Sequence, residues 1–173
     1  MFLDFEIDEL THSIEKVQTG ESFSTEVIPL SKNDLKLLTK KNSWQFNWKE
    51  EFNDSTKSVY KLIIEEQSDI IQGLVSVIKK EDYLMLSLIE NASFNLGKCK
   101  MFKGVAGNMV AFVCKLSLSY GFDGEIVFAA KTKLIAHYEQ TLGAVHIGGQ
   151  RMIIYEREAK ALIKNYFPDY KTE

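Results

Sequence analysis

The residues whose spacing best suits chemistry lie in Met101-Phe-Lys-Gly-Val-Ala-Gly-Asn-Met-Val110, where Gly104 and Gly107 follow Lys103 and lead into an apolar run, Met109 to Cys114. Glycines let the backbone turn where a side chain would clash and let its amides come close to a ligand. A helix that opens after such a turn offers unpaired N–H groups and a positive dipole end, which suits a phosphate. The stretch therefore reads as a pyrophosphate cradle, or, in the plainer use of glycine, as a loop that turns the chain. Asn108 is as well placed to cap the helix as to touch a phosphate.

Other reactive residue types are less well arranged. His12, His137 and His146 have no close metal-ligand spacing and no cysteine at a useful interval, so no metal is expected. Ser117 and Ser119 lack the context of a nucleophile elbow. Two cysteines, Cys99 and Cys114, make no disulfide framework, and the apolar surroundings of Cys114 mark it as a small core residue.

The chain that must position these groups has 173 residues, enough for one domain (1–173) with a sizeable core. Its 45% hydrophobic and 26% charged residues are ordinary globular composition. A net charge of −3, with no block of like charges, favours neither nucleic acid nor an anionic membrane. Charges interrupt every segment well short of the ~20 apolar residues a membrane span needs. The start, Met1 to Leu10, is acidic before its apolar residues and lacks the form of a signal peptide. The expected setting is cytoplasmic.

In chain order, residues 1–20 are weakly patterned, with a short helix expected around Leu10 to Val17. Ser22 to Ile28 reads as a strand ending at Pro29, and Ser31 as the cap of a helix carrying Leu35, Leu37 and Leu38. Trp44-Gln-Phe-Asn-Trp48 alternates aromatic and polar residues, which puts three rings on one face of an extended segment, either in the core or as a pocket wall. Val59–Ile64, Ile70–Ile78 and Tyr83–Ile89 follow as strands joined by short polar links, an antiparallel meander. Gly73 within the second of them suggests a bulge or a close packing partner.

After a polar connection from Glu90 to Phe102, Asn108 to Tyr120 reads as a buried helix ending at Gly121. Glu125–Ala130 is a short buried strand. Leu134, Ile135, Tyr138 and Leu142 recur at helical spacing, closed by Gly143. Arg151–Tyr155 is a strand, and Ala159, Leu162, Ile163 and Tyr166 mark a last helix before Pro168.

Meander, glycine turn, helix, strand, helix, strand is an order that resembles the GNAT superfamily of N-acetyltransferases. The family's phosphate loop reads Gln/Arg-x-x-Gly-x-Gly/Ala; here Lys103 stands at the Gln/Arg place, Ala106 at the first glycine and Asn108 at the second. Gly104 and Gly107 fall on the variable positions. A second joint, Lys131-Thr-Lys-Leu-Ile-Ala-His-Tyr-Glu-Gln-Thr-Leu-Gly-Ala144, is similar to the family's Asn-x-x-Ala-x-x-Phe-Tyr-Glu-Lys-Leu-Gly-Phe helix. It matches at Tyr138-Glu139 and at Leu142-Gly143, with one extra residue between them and Lys131 in place of the asparagine. The resemblance spans roughly residues 59–156 and rests on analogy.

The resemblance implies an α/β (α+β) fold with a mixed, mostly antiparallel sheet of six to seven strands flanked by helices. It implies acetyl-CoA as co-substrate and an amine that attacks the thioester directly. The phosphates would meet Lys103, Gly104, Val105, Ala106, Gly107, Asn108 and Lys131. Glu90, at the end of the strand Tyr83–Ile89, takes the place of the base, or else is a strand-end charge facing water. Amides beside a bulge in that strand would hold the thioester oxygen. Tyr138 takes the place of the acid that protonates the leaving thiolate, a role compatible with core packing. A GNAT-shaped CoA-binding or regulatory module without transfer is the alternative. A homodimer is left open, and the acceptor amine is unspecified.

Overall fold

Ten strands and four helices carry the chain in the computed structural model, which describes residues 1–172. In order they are β1 (Ile14–Lys16), β2 (Ser22–Phe23), β3 (Thr25–Pro29), α1 (Trp48–Asn53), β4 (Ser58–Ile64), β5 (Gly73–Lys79), β6 (Leu84–Asn91), β7 (Phe102–Lys103), α2 (Val105–Ser119), β8 (Ile126–Ala129), α3 (Ile135–Leu142), β9 (Val145–His146), β10 (Arg151–Ile154) and α4 (Glu156–Tyr166). The main sheet has seven strands in the order β3-β4-β5-β6-β8-β10-β9. Its β6–β8 neighbours run parallel, and the other pairs run antiparallel. The expected meander is β4-β5-β6. A small second sheet, β2-β1-β7, ties residues 14–16 to the strand just before α2.

Adjacent residues on β5 and β6 point to opposite faces, and each face has its own core. Val75 and Ile89 belong to the larger, with α2, α3 and α4; Leu74 and Leu88 belong to the smaller, with Trp44 and Trp48. Helix α2 is buried without a break from Val105 to Cys114, because β5 and β6 cover one side and α4 another. Packing on both sides keeps a stretch with Gly107 and three scattered valines helical where propensity alone is weak. Gly73 lies under this helix: a Cβ there would stand 2.6 Å from the Met109 terminal methyl. Gly73 thus has the close packing partner expected of it, and the strand opens there, three residues later than its pattern suggests.

Four local expectations change, the first being that Ser22–Ile28 is not one strand but is divided between β2 in the small sheet and β3 in the main one. Residues 10–17 form no helix; Ile14 pairs with Phe23, and Glu15 pairs with Ser22 and Lys103. Trp44–Trp48 is not extended. It bends into α1, whose Asn47 cap accepts from the Glu50 amide at 3.1 Å. Both tryptophans still enter the smaller core, with Phe46 packed against it. After Ser31 the helix is a short 3-10 turn, Lys32–Leu37, held by Asp34 accepting from the Ser31 amide and hydroxyl at 2.9 Å.

Candidate active site

The parallel strands β6 and β8 stay together only briefly. They pair at Leu84–Ile126 and Met85–Val127. Past that point β6 carries a bulge: its pairing with β5 steps from Ser76–Leu88 to Val77–Leu86, which leaves Ser87 as the extra residue. The inner edge of β8 then pairs with the start of the chain. The Leu3 amide donates to the Ala129 carbonyl at 2.7 Å, and the Lys131 amide donates to the Leu3 carbonyl at 2.9 Å. The Ala130 amide points the other way, to Gln150 at 2.8 Å. Leu3 therefore lies on the β6 side of β8, inside a wedge between two diverging strands.

The glycine turn closes one end of this wedge. Gly104 caps α2 in the left-handed region (φ 83°), where an L side chain is strained, and a Cβ there would also run into the Thr11 hydroxyl. The Asn108 amide makes the helical bond to the Gly104 carbonyl at 3.0 Å. The amides of Val105, Ala106 and Gly107 precede it at the helix N-terminus, the geometry that receives anions. An acidic group is already close, since the Gly104 amide donates to Asp8 Oδ1 at 3.2 Å.

Tyr138, on α3, is fully buried against Phe5 and Phe128, with ring centroids at 5.0 and 5.4 Å. Its hydroxyl donates to the Phe5 carbonyl at 2.6 Å, so it is aimed into the wedge. Burial, with the Asp4 and Glu6 carboxylates adding to it, pushes this phenol well above its ordinary value. It is a protonated donor at neutral pH. The spacing that placed Tyr138 between Leu134 and Leu142 holds, and Gly143 ends the helix with φ 66°.

Glu90 is buried too, but on the face of the smaller core. Its carboxylate accepts from the Gln45 amide at 2.7 Å, the Phe46 amide at 3.3 Å and the Trp48 indole N–H at 2.8 Å. It is not a strand-end charge facing water; it ties the bend before α1 to the end of β6. Three accepted bonds leave one of a carboxylate's roughly four acceptor directions open.

The remaining residues of the expected cradle divide. Lys103 pairs with Glu9 at 2.9 Å, a contact that raises its pKa, and stands 3.9 Å from Glu15. Lys131 pairs with Asp4 at 2.7 Å. Asn108 is not the cap: it sits within the first turn, and its side chain donates to the Thr25 hydroxyl at 2.9 Å. Gly107 does not leave room for a phosphate at its α-carbon, because a Cβ there would meet the Tyr166 hydroxyl at 2.5 Å and Leu10 at 3.0 Å. Of this residue only the amide is left for a ligand. No group of three or more His, Cys, Asp or Glu side chains is arranged to hold a metal among the described residues.

Seven strands in this order, with a parallel β6–β8 pair that parts beyond Met85 and Val127, give the chain the fold of solved N-acetyltransferase structures. Among solved structures, the chain is similar to a spermidine N-acetyltransferase SpeG chimera from Vibrio cholerae and hSSAT, at TM-score 0.59 and 15% identity over 80% of this chain and 99% of that one. It is also similar to the Vibrio cholerae spermidine N-acetyltransferase in complex with CoA and spermine, at TM-score 0.55 and 15% identity over 79% and 98%. AtaTR bound with AcCoA gives TM-score 0.57 and 12% identity over 80% and 98%. No family model and no curated protein matches the chain.

Sequence reasoning missed two participants. Residues 1–11, read as weakly patterned, run through the wedge to the glycine turn. His137, noted in the sequence only for its lack of metal-ligand spacing, is half-buried and accepts the Ile7 amide at 2.9 Å beside the Tyr138 contact. The acidic spacing of Asp4, Glu6, Asp8 and Glu9 against the scattered Lys100, Lys103 and Lys131 was the available signal.

Proposed function

We propose that residues 1–173 form one acyl-CoA-binding domain, an N-acetyltransferase that moves an acetyl group from acetyl-CoA to a primary amine. The observation that carries this reading is the buried Tyr138 hydroxyl, aimed into the β6–β8 wedge that leads to the glycine turn. In the proposed reaction the amine nitrogen attacks the thioester carbon, a C–N bond forms and the C–S bond breaks. The thiolate leaves with the Tyr138 proton, and the phenolate regains one as the new amide nitrogen sheds the extra proton it carries after attack. Amides around the Ser87 bulge would hold the oxygen as charge develops on it, and those of Gly104 to Gly107 would meet the pyrophosphate, with Lys103 and Lys131 turning to its charge.

An alkyl ammonium has a pKa near 10 and must first lose a proton. Glu90 is proposed as the acceptor of that proton, directly or through water, by the direction its three bonds leave open. The spermidine acetyltransferases of the same fold support an amine as the acceptor class, with a polyamine as one member to test. A cytoplasmic setting suits the two free thiols, Cys99 and Cys114.

The second reading, a CoA-binding or regulatory module without transfer, is favoured by one specific observation: the wedge is filled by residues 1–11. Free-thiol release from acetyl-CoA over a panel of amines, spermidine included, decides between them when run beside a CoA-binding titration. Amine-dependent release is expected. CoA binding with no release for any amine would leave the module reading.

A further inference from the structure

We infer that residues 1–11 are an internal occupant of the acyl-CoA slot, an autoinhibitory segment that must leave the wedge before the cofactor enters. The inference rests on the acyl-CoA reading above and adds to it a regulated entry step.

The segment meets each part of the slot in turn. Leu3 pairs with the inner edge of β8 as a backbone would, by bonds of 2.7 and 2.9 Å. The Phe5 carbonyl accepts from the Tyr138 hydroxyl, and the Ile7 amide donates to His137 Nε2. Asp8 then reaches the Gly104 amide, where an anion is expected, and pairs with Lys100 at 3.0 Å. Glu9 holds Lys103, and Asp4 holds Lys131. An extended chain of amides followed by negative charge at a helix N-terminus is the chemical outline of a pantetheine arm followed by a pyrophosphate. Both cannot lie in the wedge together.

The way the segment is held suits release. Apart from one bridge at Leu3, residues 1–11 form no regular structure. Most of their partners are side chains of distant elements: His137, Tyr138, Tyr166 and the lysines. Segments without ladder or helix bonds of their own open locally more readily than the elements around them. Leu3 and Ile7, at 3% and 5% exposure, supply the apolar grip, and a bound pantetheine arm would cover the same walls. Acidic residues against three lysines set how often the segment opens.

The test is hydrogen exchange on the unmodified chain with and without CoA, joined to a CoA titration of the Asp4→Asn/Asp8→Asn/Glu9→Gln variant. With CoA, peptides covering 1–11 should gain deuterium while those covering 102–108 lose it. The variant removes three partly exposed ion pairs and raises the open fraction, so its apparent CoA affinity should rise roughly tenfold. CoA bound while residues 1–11 stay protected, or a variant whose affinity is unchanged or weaker, would overturn the inference and leave the acetyltransferase reading standing. If neither protein binds CoA at millimolar concentration, both readings fall.

Discussion

Tyr138 and Glu90 are both buried polar residues named by the same resemblance, yet the structure treats them differently. Glu90, on the smaller-core face, spends its carboxylate on three donors from residues 45–48 of its own neighbourhood. Tyr138, on the larger-core face, donates its hydrogen bond to the Phe5 carbonyl, which belongs to a segment with little regular structure. Glu90 is part of how one face is built. The Tyr138 hydroxyl is held instead by a backbone carbonyl of residues 1–11, so the two equally buried groups differ in what holds them.

The largest effect should come from Tyr138→Phe, which keeps the ring between Phe5 and Phe128 and removes one hydroxyl. As the proposed acid its loss should lower kcat by about 10²–10⁴-fold. CoA affinity should hold or rise slightly, because the segment in the wedge loses a bond. Steady-state rates beside a binding titration check this, and unchanged turnover would strip the residue of the role. The pH profile adds to it. With the phenol held above its ordinary value of about 10, kcat should show no falling limb from Tyr138 below that pH.

Glu90→Gln sharpens the other half of the comparison. An amide in place of the carboxylate faces three donors with a single acceptor oxygen, and a buried donor left unsatisfied costs about 1–3 kcal/mol. Each kcal/mol lowers Tm by roughly 2–4 °C in a chain of this size. A lower melting temperature identifies the anchor. Where the variant is folded its kcat should fall as well, as loss of the proposed base requires, and an unchanged kcat would strip Glu90 of that role.

Gly107→Val should act through packing. Its Cβ meets the Tyr166 hydroxyl, which accepts the Thr11 amide at 2.9 Å, so overpacking should cost about 1–3 kcal/mol. A melting curve shows it directly. Normal stability with CoA binding abolished would mean that this α-carbon faces the ligand after all. The smallest effect is expected for Lys103→Met. It should leave the melt nearly unchanged, because the lysine is at the surface, and weaken CoA binding a few-fold by titration.

What could be read from the sequence was set locally. The meander, the exit of α2, and the helix that presents Tyr138 all show as periodicity closed by glycine or a polar link. The acid role expected of Tyr138 came only with the resemblance, since no spacing in the sequence implies it. Residues 1–11 escaped because their order comes from far along the chain: Ile7 meets His137 across 130 residues and Thr11 meets Tyr166 across 155. No spacing within eleven residues encodes that. The packing on the Gly107 α-carbon was hidden for the same reason, since its neighbours Leu10 and Tyr166 are far away in sequence.

Thermal unfolding with and without acetyl-CoA tests the central claim, that the β6–β8 wedge is an acyl-CoA slot, most directly. A ligand that binds the native state alone stabilises it by about 2.7 kcal/mol at a hundredfold excess over its dissociation constant. For this chain that is a rise in Tm of roughly 5–10 °C. A melting curve unchanged at millimolar acetyl-CoA would contradict the account.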